Sequence, residues 1–253
     1  MNDPLFSIIT VCFNSEATIN DTIKSVLNQT ERNFEYIIID GNSTDTTVEI
    51  IKSFEKPFNE QEISYRWISE EDTGIYNAFN KGIKLSKGNW ISFLGSDDIY
   101  LERAIKTYKE AIDNLSSEID FIHANVQVER GKLFSVPYDW KKFKQKMTIA
   151  HVGSFHNKKY FTTKGLFNES YKIAGDYELL LRAKQNLRTH WINELTVNMG
   201  SEGVSNFQIK KVYIEATRAK IETAKVNVIK AKMDYYLWML KFQIKKILHA
   251  FTK

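Results

Sequence analysis

A single cysteine, Cys12, excludes any disulfide within the 253-residue chain, and a lone thiol inside an apolar run suits a reducing compartment. Three prolines leave no Pro-rich linker to separate domains. No apolar run approaches the roughly 18 residues that read as a transmembrane helix. Met1-Asn2-Asp3-Pro4 leads straight into strand-like sequence, without a basic and apolar leader. These absences predict a cytoplasmic protein, or one held peripherally on the inner face of the cytoplasmic membrane. Also missing are Gly-x-Gly-x-x-Gly after the first strand and any Gly-x-x-x-x-Gly-Lys-[Ser/Thr]. A dinucleotide dehydrogenase and a P-loop ATPase are thereby disfavoured.

What is present supports a packed core, with 43% hydrophobic and 26% charged residues. The net charge of +4 is unevenly spread: residues 206–253 hold 11 basic and 3 acidic residues, and the rest of the chain is acidic on balance. The basic character belongs to the tail, so the two parts need separate readings. We divide the chain into a body, 1–205, with halves 1–98 and 99–205, and a basic amphipathic helical tail, 206–253.

Phe6 to Phe13 and Phe34 to Ile39 are continuous apolar runs rich in β-branched residues, as strands buried on both faces require. Ile63–Ser69 and Trp90–Leu94 read as two further strands. Helical spacing lies between them, over Ala17–Asn28, Thr44–Phe54 and Thr73–Leu85. Strand-helix alternation of this kind is the signature of a doubly wound α/β sheet, mainly parallel. Ligands bind such sheets beyond the carboxyl ends of the strands. Asn14, Asp40, Asp72 and Asp97-Asp98 lie at or just after such ends, so four segments should converge on one crevice. Beyond them, Leu101–Leu115 reads as a helix, Phe121–Val128 as a strand and Tyr177–Lys184 as a short helix.

Adjacent carboxylates in Gly95-Ser96-Asp97-Asp98 are costly unless something positive neutralises them. A divalent ion bound to a diphosphate would do so; the alternative is that either Asp caps the helix near Leu101. Asp40, followed by Gly41-Asn42-Ser43, is placed to accept hydrogen bonds from a base or ribose, or merely to cap a turn. Asp72 precedes a helix bearing Asn77, Asn80 and Lys81, where Lys81 either approaches a phosphate or is simply solvated. Asp176 heads another helix, where an N-cap is the plain reading, and Glu178 with Arg182 reads as an ordinary i,i+4 ion pair. His151 and His156 lack further ligands that would make a metal site, and most lone histidines are structural or exposed.

Four segments together, Phe6–Asn14, Asp40–Asp45, Asp72–Gly82 and Asp97-Asp98, resemble glycosyltransferase family 2 of the bacterial surface-polysaccharide type, with its GT-A fold. The resemblance implies that Thr10, Phe13 and Asn14 line the nucleotide pocket and that Asp40 and Asp72 recognise the base, usually uracil. Asn77, Lys81 and Ser96 join this donor-binding set. It further implies that Asp97 contacts the ribose or donor sugar, and that Asp98 ligates Mn²⁺ or Mg²⁺ bridging the phosphates. Asp176 matches the family's general base, and His151 lies in its acceptor region. Many members have an acidic residue where Gly95 stands. Met199–Ser205 resembles the loop that folds over the donor, and is otherwise a plain connector.

The implied activity is inverting transfer of one sugar, hexosyl or N-acetylhexosaminyl, from a UDP-sugar to a saccharide acceptor, free or polyprenyl-diphosphate-linked, in capsule, O-antigen or exopolysaccharide synthesis. The processive members' Gln-x-x-Arg-Trp is missing. The rival readings are a non-catalytic nucleotide-sugar-binding scaffold on the same fold, which has no need of Asp176, and a nucleotidyltransferase, whose Gly-rich basic N-terminal loop is absent. In the tail, Tyr235–Leu240, Phe242, Ile244, Ile247, Leu248 and Phe251 interleave with Lys241, Lys245 and Lys246. This suits an interfacial helix on an anionic leaflet, or a face packed on the body or on a second copy in a homo-oligomer. No nucleic-acid-reading motif is present.

Overall fold

The computed structural model describes residues 4–128, 132–200, 203 and 208–250. Its first half is the expected alternation with one further helix, α3: β1 (Phe6–Cys12), α1 (Ile19–Leu27), β2 (Phe34–Asp40), α2 (Thr47–Ser53), α3 (Glu55–Glu60), β3 (Ser64–Ser69), α4 (Ile75–Leu85) and β4 (Trp90–Gly95). β2 is buried along its whole length and β1 nearly so, which is why neither shows polar alternation. In α1, Ile19, Ile23, Val26 and Leu27 form the buried stripe that the 3.6-residue period requires.

The second half continues with β5 (Ile99–Tyr100), α5 (Ala104–Asp113), β6 (Phe121–Val128), β7 (Lys132–Phe134), α6 (Trp140–Phe143), β8 (Phe155–Asn157), α7 (Lys158–Lys164), α8 (Gly175–Leu181) and β9 (Thr189–Met199). Two helices close the chain, α9 (Ile209–Glu222) and α10 (Val228–Ala250). Among the described residues, nine strands form one sheet, ordered β3-β2-β1-β4-β8-β6-β9-β5, with β7 on β6. The block β3-β2-β1-β4 is wholly parallel. Past β4 the sheet is mixed, because β8 runs antiparallel to both β4 and β6 while β9 is parallel to β6.

Apolar cores cover both faces. One packs α1, α2 and α5 against the sheet; the other packs α4, α7 and α8, with Ala219 of α9 joining it. The tail is therefore seated on the body through α9. Among the described residues, no helix is long and apolar enough to cross a membrane.

Candidate active site

Parallel pairing aligns the carboxyl ends of β1, β2 and β4, with Cys12 opposite Asp40 and Val11 opposite Gly95. A cleft of about 820 Å³ opens above this edge. Phe13, Asn14 and Ser15 enter it after β1, Asp72 after β3, and Ser96, Asp97 and Asp98 after β4. His151, Lys172, Asp176 and Gly200 also line it. Another hollow of about 760 Å³ runs along the outer edge of β3, where Glu55 is the one acid in its lining. It offers no comparable convergence of polar groups.

Asp98 is 6% exposed. Its carboxylate accepts N–H bonds from Gly95 (2.9 Å) and Gly200 (2.9 Å). Burial first, and then the charge of Asp97, push its carboxyl up to about 7. The ionised form is thus poorly paid for by the protein alone. A cation held by Asp98 and Asp97 fits this pair, since hard divalent ions take oxygen ligands and commonly combine one or two carboxylates with phosphates. Among the described residues, no group of three or more His, Cys, Asp or Glu is arranged to hold a metal. Gly200 faces Asp97 so closely that a Cβ there would lie 2.3 Å from Oδ2 and 2.5 Å from the backbone oxygen. Neither acid caps the following helix, because β5 intervenes and α5 has Arg103 at its N-cap.

Also at the cleft, Ala174 takes the N-cap position of α8 and Asp176 lies in its first turn; Asp176 is therefore not the cap. Its Oδ1 accepts the Tyr177 N–H at 2.7 Å. The preceding backbone is clamped from two sides. Tyr76 Oη accepts N–H bonds from Gly175 (2.7 Å) and Asp176 (3.3 Å) and donates to the Ile173 carbonyl (2.7 Å). A Cβ at Gly175 would lie 2.6 Å from the Tyr76 ring, so only glycine permits this approach. The Glu215 carboxylate, from α9, accepts the N–H groups of Lys172, Ile173 and Ala174 at 2.8–3.0 Å. Tyr76 and Glu215 were not singled out in the sequence. The Glu178–Arg182 pair forms as expected, at 2.5 Å.

Four donor-side candidates are placed off the cleft lining. Thr10 is fully buried and accepts a hydrogen bond from Tyr36 Oη at 2.9 Å; it sits within the sheet, below the cleft. Asp40 is also fully buried and is engaged by Ser43 N–H (2.9 Å) and by the hydroxyls of Ser43 (2.5 Å) and Ser69 (2.6 Å). It shapes the loop under the cleft and does not line it. Lys81 is bound to Glu70 (2.8 Å) and to the Glu71 carbonyl (2.8 Å), and Asn77 to Glu169 (2.9 Å). Both fasten loops outside the cleft, since their helix turns them away from it.

Phe13, Asn14, Asp72, Ser96 and Asp97 do line the cleft. Phe13 is 61% exposed, which leaves its ring open to the cleft. Asn14 adopts a positive φ of 48°, which asparagine tolerates. There its side chain accepts the Thr44 N–H at 2.9 Å, tying the β1 loop to the β2 loop. Asp72 accepts the Gly74 N–H at 2.8 Å, and Ser96 Oγ lies 3.0 Å from Ser15 Oγ. Lys172 bonds the carbonyls of Thr73 (2.7 Å) and Glu169 (3.2 Å) at the cleft wall, adding positive charge there that no local motif foretold. In the anticipated covering loop, Met199, Gly200 and Gly203 line the cleft; its residues 201, 202, 204 and 205 lie outside the described residues.

The model of "Glycosyl transferase family 2" matches residues 7–176. The chain belongs to this family. A PGL/p-HBAD biosynthesis glycosyltransferase of Mycobacterium bovis is 28% identical over 219 residues, covering 85% of this chain and 84% of its own length. Chondroitin synthase of Escherichia coli is 31% identical over 218 residues, covering 84% of this chain but 31% of the synthase. Among solved structures, S. aureus TarS (residues 1–349) in complex with UDP-GlcNAc superposes with a TM-score of 0.68 at 19% identity, over 91% of this chain and 70% of that one. The fold of this family 2 glycosyltransferase is accordingly GT-A, with a helical C-terminal part.

Proposed function

We propose that this protein transfers one sugar, with inversion, from a UDP-sugar to a saccharide acceptor in bacterial surface-polysaccharide synthesis. One observation carries the reading: a single cleft is lined by Asp97 and Asp98, which follow β4, and by Asp176 of α8. The first pair suits a diphosphate and its counter-ion, the second an acceptor hydroxyl. Phe13 offers a face for the base to stack on, and Asp72 an acceptor beside it. Lys172 adds positive charge toward the phosphates. Mn²⁺ or Mg²⁺ held by Asp98 and Asp97, and completed by donor oxygens, would neutralise charge on the departing nucleoside diphosphate. Asp176 takes the proton of the acceptor hydroxyl while that oxygen bonds to the anomeric carbon and the bond to the diphosphate breaks. One displacement from the opposite face inverts the centre.

The decisive experiment is a thermal-shift panel of UDP, GDP, CDP and TDP, with and without Mn²⁺. A ligand at 100 times its Kd stabilises the folded state by about 2.7 kcal/mol. For a chain of this size that shift is several degrees. We expect UDP to act only with the metal. If no nucleotide moves the transition under either condition, the donor site is wrong and a scaffold role takes its place.

We further propose that α10 rests on an anionic bilayer, which would suit a lipid-linked acceptor. Ile229, Met233, Tyr236, Leu237, Leu240 and Ile244 are all exposed, and at helical spacing they fall within one arc of about 100°. Lys232 borders this arc on one side and Lys230 and Lys241 on the other, all exposed. Asp234, the acid of this helix, is paired with the buried Lys220 at 2.9 Å. Apolar insertion flanked by cations is the interfacial pattern. Trp238 is not part of it: it turns inward toward Tyr213 and Lys146. The side chains of Ile247, Leu248, Lys245 and Lys246, and Phe251, lie outside the described residues. Vesicles of phosphatidylglycerol should float the protein, whereas phosphatidylcholine alone should not. Leu240→Glu should weaken binding at least tenfold. A dimer in sedimentation velocity that this substitution splits, with no vesicle binding, would assign the stripe to a second copy.

A further inference from the structure

His156 is fully buried in β8, and its Nε2 lies 3.0 Å from Nε2 of His151. Between two neutral imidazoles sharing one such bond, one ring must donate and the other accept. Burial lowers the pKa of both rings, so a neutral pair is favoured at neutral pH. Two facts decide which ring donates.

His156 Nδ1 is buried with no hydrogen-bond partner, among the rings of Phe121, Phe93 and Phe161. Were His156 the acceptor at Nε2, its proton would sit on Nδ1 as an orphaned buried N–H, the rarer and worse of the two defects. The second fact is on the cleft side. His151 lines the cleft together with Asp176 and feels the Asp176 carboxylate. A negative charge favours an N–H on the ring nitrogen that His156 does not engage, which is Nδ1. Both facts make His156 the Nε2–H donor and His151 the acceptor. Stacking on Phe93, with centroids 5.3 Å apart and planes at 17°, holds the His151 ring in that attitude.

We propose that His156 is a positioning residue that fixes His151 as a neutral Nδ1–H donor beside Asp176, and that this N–H binds an acceptor-sugar oxygen neighbouring the hydroxyl that Asp176 deprotonates. The cleft then reads a pair of adjacent hydroxyls, one by its proton and the other by its lone pair. The substrate half of this inference rests on Asp176 being the base; the tautomer half does not.

Long-range ¹H–¹⁵N correlation on the wild-type protein, labelled at its five histidines, tests the tautomers without donor or acceptor. We expect a protonated Nε2 and a bare Nδ1 in His156, and the reverse in His151. The opposite pair, or a ring protonated on both nitrogens at pH 7.5, overturns the proposal. With acceptor, His156→Phe should raise the acceptor KM about tenfold, the worth of one hydrogen bond, and leave UDP-induced stabilisation unchanged. His156→Gln, whose amide N–H₂ occupies the place of Nε2–H, should restore it. The double variant with His151→Phe should be no worse than His151→Phe alone. Additive losses, or no recovery with Gln in a folded protein, would show a packing role only. If the tautomers are as stated but no variant changes KM, the assignment of the acceptor side fails instead.

Discussion

Asp176→Asn is expected to lower glycosyl transfer about 10³-fold, within the range for loss of a positioned general base, while UDP with Mn²⁺ stabilises the variant as it does the parent. The amide keeps an oxygen for the Tyr177 N–H. Backbone N–H groups from residue 172 to 176 remain held by Glu215 and Tyr76, so α8 should start as before. What disappears is the capacity to take a proton. A scaffold protein would show no transfer to lose, and a purely structural Asp176 would betray itself as a lowered melting temperature. Transfer within tenfold of the parent would remove Asp176 from the mechanism. Measured with saturating acceptor, the loss should fall on kcat, because the donor side is untouched.

Asp98→Ala should have the complementary result, abolishing the metal-dependent part of UDP stabilisation and reducing transfer at least 10³-fold. The effect is electrostatic. A buried carboxyl next to a second carboxylate is unfavourable in its charged form unless a cation joins it. Removing it takes away the more enclosed of two proposed protein ligands, and a metal that neutralises a leaving diphosphate contributes several kcal/mol to the barrier. The variant also frees the N–H groups of Gly95 and Gly200, so Met199–Gly200 should loosen over the cleft. Persistent Mn²⁺-dependent stabilisation in Asp98→Ala would place the ion elsewhere. The two variants thus separate acceptor chemistry from donor capture in one pair of assays.

The order of strands and helices through Gly95 was legible, α3 apart, because β1, β2 and β4 are buried, largely apolar runs and α1 and α4 carry buried stripes, whereas α3 buries Phe58 alone. β5 and β8 were not, since two or three residues show no period. The antiparallel insertion of β8 between β4 and β6 was equally invisible. At the site, sequence position located strand ends but not side-chain direction. Asp40 and Asp72 both follow strands, yet Asp40 turns under its loop toward Ser43 and Ser69 while Asp72 reaches the cleft. Lys81 and Asn77 stand on a helix whose neighbouring loops supply carboxylates that hold them away. Glu215 had no local signal at all, because its three N–H partners lie more than forty positions upstream.

That last contact changes where this polypeptide can be cut or grafted. A boundary at residue 205, which charge distribution suggests, would remove the carboxylate that steadies the strand of backbone leading into Asp176. We place the joint later, in the turn between Glu222 and Val228. Shuffling of C-terminal segments among relatives should therefore leave working chimaeras when the splice follows α9, and catalytically slack ones when it precedes it.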